Sequence, residues 1–345
     1  MVAKAARRKG ADSGRAARDP AAAGAGALAA ELKAGDRRAL ARAITLVEST
    51  REDHRRRAEA LLDVLLPASG GAVRLGISGA PGVGKSTFIE AFGLHLVGQG
   101  HRVAVLAVDP TSKRSGGSIL GDKTRMTELA RTSEAFIRPS PSGGSAGGVA
   151  RRTREALLLT EAAGFDVVLV ETVGVGQAET AVADMVDTFV LLLAPGAGDE
   201  LQGIKRGIVE LADVVVVNKA DGELAKAAGR VAADFHAALG LLRPTSPRWQ
   251  PRVVLASALE GRGIDEVWRA AQDHRAALGA DEIGRRRADQ ARAWMWREVG
   301  ETLIETLRQD KRVARLMPEL EAKVSAGETS PGAAAKSLLQ AFRRG

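Results

Sequence analysis

Apolar positions along the chain follow different rhythms in different regions. From Leu28 they recur at Leu32, then Leu40, Ile44 and Val47, then Leu61, Leu62 and Leu65, the intervals of helices that bury one face. These positions predict two or three helices, with Gly35 and Asp36 as turn and cap between the first two and a closing loop over 67–71. From Val73 the rhythm changes to short runs that are largely apolar on consecutive positions: 73–78, 102–109, 166–171, 188–194, 213–218 and 252–257. Runs of this kind, separated by helix-length segments, read as parallel strands covered on both faces. Beyond about Gly279 helical spacing returns in Trp294, Trp296, Val299, Leu303, Ile304 and Leu307, followed by 313–324 and 333–342. The predicted class is α/β, a mostly parallel sheet flanked by helices. Residues 1–27 are expected to be a basic, disordered tail, 28–71 a helical region, 72–278 the α/β domain and 279–345 a helical extension. No internal repeat of solenoid length is present.

Composition narrows the partners more than the fold. The 345 residues are 45% hydrophobic and 27% charged, as in a globular protein, but only 3% aromatic, so the core must be mostly Ala, Val, Leu and Ile. The chain has no cysteine, which excludes disulfides, thiol nucleophiles and thiolate metal sites. The net charge of +8 suggests nucleic acid or an anionic surface, yet the first twenty residues hold six Lys/Arg against two Asp/Glu, half the excess. A nucleic-acid or membrane partner is therefore not expected, and the longest apolar runs are too short to span a bilayer. A cytoplasmic location is expected, with the mitochondrial matrix as the alternative if the Arg/Ala-rich tail is a transit peptide.

The chemistry concentrates at strand ends. Gly79-Ala80-Pro81-Gly82-Val83-Gly84-Lys85-Ser86-Thr87 fits G-x-x-x-x-G-K-[ST] between a predicted strand and a predicted helix. The glycines let backbone N–H groups turn in around phosphates, and the helix adds its positive end. Lys85 is expected to reach the β- and γ-phosphates and Ser86 to bind Mg2+. Phosphates do not identify a base. Asn218-Lys219-Ala220-Asp221, an N-K-x-D directly after an apolar strand, does. The Asp221 carboxylate can accept from guanine N1–H and its 2-amino group, donors that adenine does not offer. Ser257 and Ala258, after the next strand, are candidates to face the guanine O6.

Three acids near these motifs are candidate metal and catalytic residues: Asp109 at the end of the second predicted strand, Asp122, and Glu171 at the end of the third. Mg2+ is held by one or two carboxylates together with phosphate oxygens and water, which suits such positions. The Gly174 N–H is placed to meet a γ-phosphate, and the polar, glycine-containing stretch 111–121 reads as a switch loop. Where many P-loop GTPases carry a water-positioning Gln after the D-x-x-G glycine, this chain has Val175. Slow, partner-stimulated hydrolysis is therefore expected, with Gln177 a weak substitute. The glycine-rich run 140–148 lacks a Lys-Ser ending and reads as a loop.

These residues together resemble the methylmalonyl-CoA mutase-associated GTPase family, also called MeaB/ArgK, a branch of the P-loop GTPases related to metallochaperones. The resemblance runs from about Gly35 to the C-terminus. It is carried by Gly35-Asp36-Arg37-Arg38-Ala39-Leu40, by Val108-Asp109-Pro110, by Ser115 through Met126 with its Gly-Asp-Lys-Thr, by Glu171-Thr172-Val173-Gly174-Val175-Gly176-Gln177 and by Gly198-Asp199-Glu200-Leu201-Gln202-Gly203-Ile204-Lys205. It implies GTP/GDP and Mg2+ as ligands, a homodimer built by the C-terminal helices, and a partner in an adenosylcobalamin-dependent acyl-CoA mutase whose cofactor loading the GTPase gates. By position it makes Asp109, Asp122 and Glu171 metal and switch acids, and assigns Asp199 and Lys205 to a segment coupling nucleotide to mutase. Two alternatives stand beside it. A nickel-delivery GTPase would want clustered Cys/His ligands, and the five histidines are scattered; a P-loop kinase would have no need of Asn218 to Asp221.

Overall fold

A computed structural model describes residues 20–108, 126–139, 146–172, 178–195, 206–242 and 245–343. Asp109, Asp122, Gly174, Gln177, Asp199 and Lys205, with the expected switch loop 111–121, lie outside the described residues. Packing divides the chain into two compact units, Met1–Arg287 and Ala288–Gly345.

The first unit opens with α1 (Pro20–Lys33), α2 (Arg37–Glu48) and α3 (Glu52–Leu65). As predicted, Gly35 turns the chain at φ +83° and Asp36 caps α2, accepting from Arg38 N at 2.7 Å and Ala39 N at 3.1 Å. Leu32, Leu40, Ile44 and Leu61 are fully buried. The sheet follows, built from β1 (Val73–Gly79), β2 (Val103–Val108), β3 (Ala135–Arg138), β4 (Val167–Thr172), β5 (Thr188–Leu193), β6 (Val214–Val217) and β7 (Arg252–Leu255). Its order is β3-β2-β4-β1-β5-β6-β7, and every pairing is parallel. The central strands β2, β4, β5 and β6 are buried at every position, whereas the edge strands β3 and β7 keep part of their surface.

Helices cover both faces of this sheet. On one lie α4 (Lys85–Gly98) and the first part of α10 (Ile264–Gln309), and Phe88, Phe92, Val267 and Trp268 join Leu75, Val105, Leu169, Val190 and Val216 in one core. On the other lie α6 (Ala146–Ala162), against β2 and β4, and α7 (Ala178–Ala183), against β4 and β1. The helices α1, α2 and α3 pack on α6 and form a further layer. The glycine-rich run read as a loop is one only in part, because Ala146, Gly147 and Gly148 already belong to α6. The short α5 (Thr127–Arg131) precedes β3, α8 (Arg206–Val209) precedes β6, and α9 (Ala225–Leu241) leads to β7.

At the amino ends of the strands one device recurs. Asp166, Asp187 and Asp213 each stand just before a strand and each accept a backbone N–H from the neighbouring strand or its lead-in: Arg102 N at 2.7 Å, Arg74 N at 3.2 Å and Phe189 N at 2.8 Å. The carboxylates satisfy donors the ladder leaves over, and they mark this end of the sheet as structural. In the second unit, α11 (Lys311–Ser325) is capped by Asp310 and packs with α12 (Pro331–Arg343).

Candidate nucleotide site

The strand order reverses at β1. From it the chain crosses to β2 and β3 on one side, returns to β4, and then builds β5, β6 and β7 on the other. The carboxyl end of β1 is therefore the switch point where an open α/β sheet forms its crevice. Residues 79–87 occupy it: Gly79 ends β1, and Lys85 begins α4.

The loop's shape follows from its small residues. A Cβ on Gly79 would lie 2.5 Å from the Leu192 carbonyl of β5, so only glycine fits there. Gly82 and Gly84 take φ of +81° and +91°, the left-handed region that glycine enters at least cost. Val83, 2% exposed, anchors the loop's centre in the core. The Lys85 ammonium donates to Gly79 O at 2.7 Å and Ala80 O at 3.2 Å, which holds its charge inside the curve of the loop. Burial lowers its pKa; Glu171 and, less strongly, Glu179 oppose that shift. Ser86 is half-buried in the first turn of α4 and Thr87 is exposed. Glu171, 3% exposed near the end of β4, pairs in register with Ile77 of β1 and Ala107 of β2. The backbone position of Glu171 is thus fixed by the sheet itself.

The second predicted motif meets this loop across β5 and β6. Asn218, 1% exposed, donates through Nδ2 to Val83 O at 3.0 Å and accepts from Ala258 N at 3.2 Å, so it ties three loops together. A Cβ on Gly84 would stand 2.9 Å from Asn218 Nδ2, a second reason for glycine there. Lys219 lies at φ +58° and donates from Nζ to Gly82 O at 2.7 Å. The Asp221 carboxylate accepts from the Ser257 hydroxyl. Ser257 is itself held by a bond from its N–H to Arg262 O at 2.9 Å, and the turn is closed by Gly261 and Gly263, both at positive φ. Of the predicted site, 79–87, Glu171, Asn218, Lys219, Asp221, Ser257 and Ala258 gather at one end of the sheet; the remaining candidates lie outside the described residues.

Some neighbours of this site are not among the predicted site residues. The Thr172 hydroxyl donates to the Ser78 hydroxyl at 3.0 Å, which bridges the strand ends just below the phosphate loop. Glu179 is 3% exposed in α7. Thr172 stands in the run 171–177 that carries the resemblance, but its pairing with Ser78 shows only where β1 lies beside β4; Glu179 belongs to no motif of fixed spacing.

A seven-stranded parallel sheet with a phosphate loop at its switch point, joined to an N-K-x-D loop, defines a P-loop GTPase. The family described as Methylmalonyl Co-A mutase-associated GTPase MeaB matches residues 40–312, and the chain belongs to it. GTPase ArgK of Escherichia coli is 51% identical over 277 residues, 80% of this chain and 84% of that one. The mitochondrial methylmalonic aciduria type A homolog of Mus musculus is 50% identical over 320 residues, 90% and 77% of the two chains. A crystal structure of LAO/AO transport system kinase superposes with a TM-score of 0.74 at 40% identity, covering 93% of this chain and 98% of that one. The chain binds guanine nucleotide and is a GTPase, as its family and relatives are.

Proposed function

We propose that this GTPase is the chaperone of an adenosylcobalamin-dependent acyl-CoA mutase, methylmalonyl-CoA mutase in the first instance, and that it gates loading of the cobalamin and protects the mutase from inactivation. The family match over 40–312 carries the proposal, because it spans the segments in which the resemblance is densest. The name of the mouse relative, a methylmalonic aciduria type A homolog, supports the same partner. In this reading Lys85 and the N–H groups of 79–87 bind the phosphates, while Asn218, Lys219 and Asp221, with Ser257 and Ala258, read the guanine.

The Ser86 hydroxyl and the Glu171 carboxylate are hard oxygen donors at the phosphate loop, and they fit Mg2+. When bound, Mg2+ would neutralise charge on the phosphates; Asp109 and Asp122 are assigned to it by the resemblance. Gly174 and Gln177 belong to the segment that senses the γ-phosphate, and Asp199 and Lys205 to the segment that signals to the mutase. With Val175 in place of a water-positioning Gln, basal turnover is slow and the partner accelerates it. The helical extension 279–345 is assigned to homodimerisation, supported by Trp296, Leu303 and Ile304, 68%, 57% and 54% exposed along one helix. The cytoplasm is the proposed compartment.

GTP turnover measured with and without an adenosylcobalamin-dependent acyl-CoA mutase tests the reading. The mutase is expected to raise the rate, and Lys205→Ala to abolish that rise while sparing basal turnover. A mutase that neither binds nor changes the rate would remove the chaperone role and leave the GTPase intact.

A further inference from the structure

Among the described residues Lys219 is the only one other than glycine at a positive φ, +58°. A side chain in that region is strained and persists only where its surroundings hold it. The strain sits between the two halves of the nucleotide site: Lys219 reaches back to Gly82 of the phosphate loop, and Asp221, two residues on, meets Ser257. Ala220, between them, is tethered by both of its backbone groups. Its N–H donates to Ala256 O at 3.0 Å, just past β7, and its carbonyl accepts from Arg262 Nη2 at 3.4 Å. A fixed turn presents Arg262. Its own carbonyl accepts from Ser257 N at 2.9 Å, and Glu260 N donates to the Ser257 hydroxyl at 3.1 Å. Gly261 and Gly263 flank it at φ of +70° and +72°, and a Cβ on Gly263 would stand 2.1 Å from Leu255 O, so the turn lies directly on the end of β7. The Glu260 carboxylate meets the same Nη2 at 2.5 Å, which leaves one N–H of that nitrogen for each acceptor.

We propose that Arg262 is a positioning residue of the guanine site: by clasping the Ala220 carbonyl it holds the left-handed turn at Lys219, and so aims the Asp221 carboxylate at the base. The role deepens the reading of Asn218 to Asp221 as the base-reading loop and rests on it. A peptide that follows a strained residue relaxes unless both of its ends are held, and Arg262 is the side chain that holds the second end. That side chain is 62% exposed, so it fills no part of the core and acts through this contact. Glu260 keeps the guanidinium over the carbonyl and out of free solution. The ring so formed, from Ala220 through Asp221, Ser257 and Arg262 back to Ala220, draws only on protein groups, so the loop is ordered before a base arrives. Order set in advance adds to affinity, because binding no longer has to impose it.

Competition binding of GTP and xanthosine triphosphate to the full chain tests the role. Xanthine has an oxygen where guanine has its 2-amino group, so it gains little from a well-aimed carboxylate. In Arg262→Ala, GTP affinity is expected to fall by about 3- to 10-fold, the range that one hydrogen bond contributes, with xanthosine triphosphate affinity unchanged. Arg262→Lys keeps a cationic donor but not the planar fork that serves Ala220 and Glu260 together, and should lie between. A wild-type preference for GTP in Arg262→Ala would overturn the role, as would equal weakening of both nucleotides, the pattern of a loop that has only loosened. If Arg262→Ala does not fold, Arg262→Lys decides: weakened binding of GTP alone supports the role, and a wild-type ratio or equal weakening overturns it. Asp221→Asn separates the two claims. A preference lost there but kept in Arg262→Ala removes Arg262 alone; a preference kept in Asp221→Asn removes the base-reading loop and the role of Arg262 with it.

Discussion

Asp221 is the residue on which base selection turns, and its surroundings make it testable without unfolding the loop. Its carboxylate already accepts from the Ser257 hydroxyl, and an amide oxygen can do the same. Asp221→Asn should therefore fold, but it presents a donor where guanine N1–H and the 2-amino group need an acceptor. The preference for GTP over xanthosine triphosphate is expected to fall by about 10- to 100-fold, from the roughly 1–3 kcal/mol that a mismatched buried polar group costs. Competition binding with the two nucleotides measures it, and an unchanged ratio would place base reading elsewhere. Residues of this kind were legible in the sequence because each belongs to a short motif with fixed spacing. Asn218 was legible only in part. Its position in N-K-x-D was plain, but not that it holds Val83 O from 135 residues away, nor that its Nδ2 leaves no room for a Cβ on Gly84. The pairing of Ser78 with Thr172 was not legible, since the packing of neighbouring strands, not spacing, brings the two hydroxyls together.

Strands were legible where burial on both faces forces consecutive apolar residues. β1, β2, β4, β5, β6 and β7 each match a predicted run, with β1 and β4 ending one residue past theirs. β3 does not, because a four-residue edge strand, Ala-Phe-Ile-Arg, is half-buried over most of its length and has no such run to show. The helix expected beyond about Gly279 already begins at Ile264, and Gly279, at φ +70° and ψ 168°, interrupts it. The preceding turns were hidden by charged residues on their outer side, while Ile264, Val267, Trp268, Ala271 and Leu278 pack inward. How closely α7 lies on β1 could not be read either, because it depends on a missing side chain. At Gly76 a Cβ would meet Val182, Val186 and Phe189 at 2.8, 3.0 and 3.1 Å. Gly76→Ala is expected to cost about 1–3 kcal/mol through overpacking. Urea unfolding should show a lowered midpoint, and an unchanged midpoint would mean that α7 shifts freely on the sheet.

Stability and chemistry are kept at opposite ends of the first unit. The nucleotide loops sit at the carboxyl ends of the strands; the amino ends are fastened to α10 by half-buried ion pairs. Asp187, 2% exposed, accepts from Arg287 Nε at 2.7 Å and Nη2 at 2.5 Å and from Arg275 at 3.2 Å, and Arg287 also donates to the Ala72 carbonyl at 2.7 Å. Beside them His274, wholly buried, meets the Thr188 hydroxyl at 2.8 Å through Nδ1, Asp213 Oδ1 at 3.4 Å through Nε2, and the Trp249 ring at 5.1 Å. Burial lowers its pKa; Asp213, Asp187 and Glu282 oppose the shift and Arg286 adds to it. The folded pKa therefore lies below that of the unfolded chain, about 6.5. Above that pH both states hold a neutral imidazole and nothing is lost. As pH falls from about 6.5 through the folded pKa, the unfolded chain takes the proton first, and this group alone removes up to about 1.4 kcal/mol of stability per pH unit. Urea unfolding from pH 7.5 to 5.5 is expected to show that decline in the wild type and a shallower one in His274→Gln, which starts less stable. GTP turnover of His274→Gln at pH 7.5 should remain near wild type, because the histidine stands at the end of the sheet away from the phosphate loop. Parallel slopes in the two proteins would assign the pH dependence to other groups, and a loss of turnover at pH 7.5 would show that the two ends of the sheet are coupled.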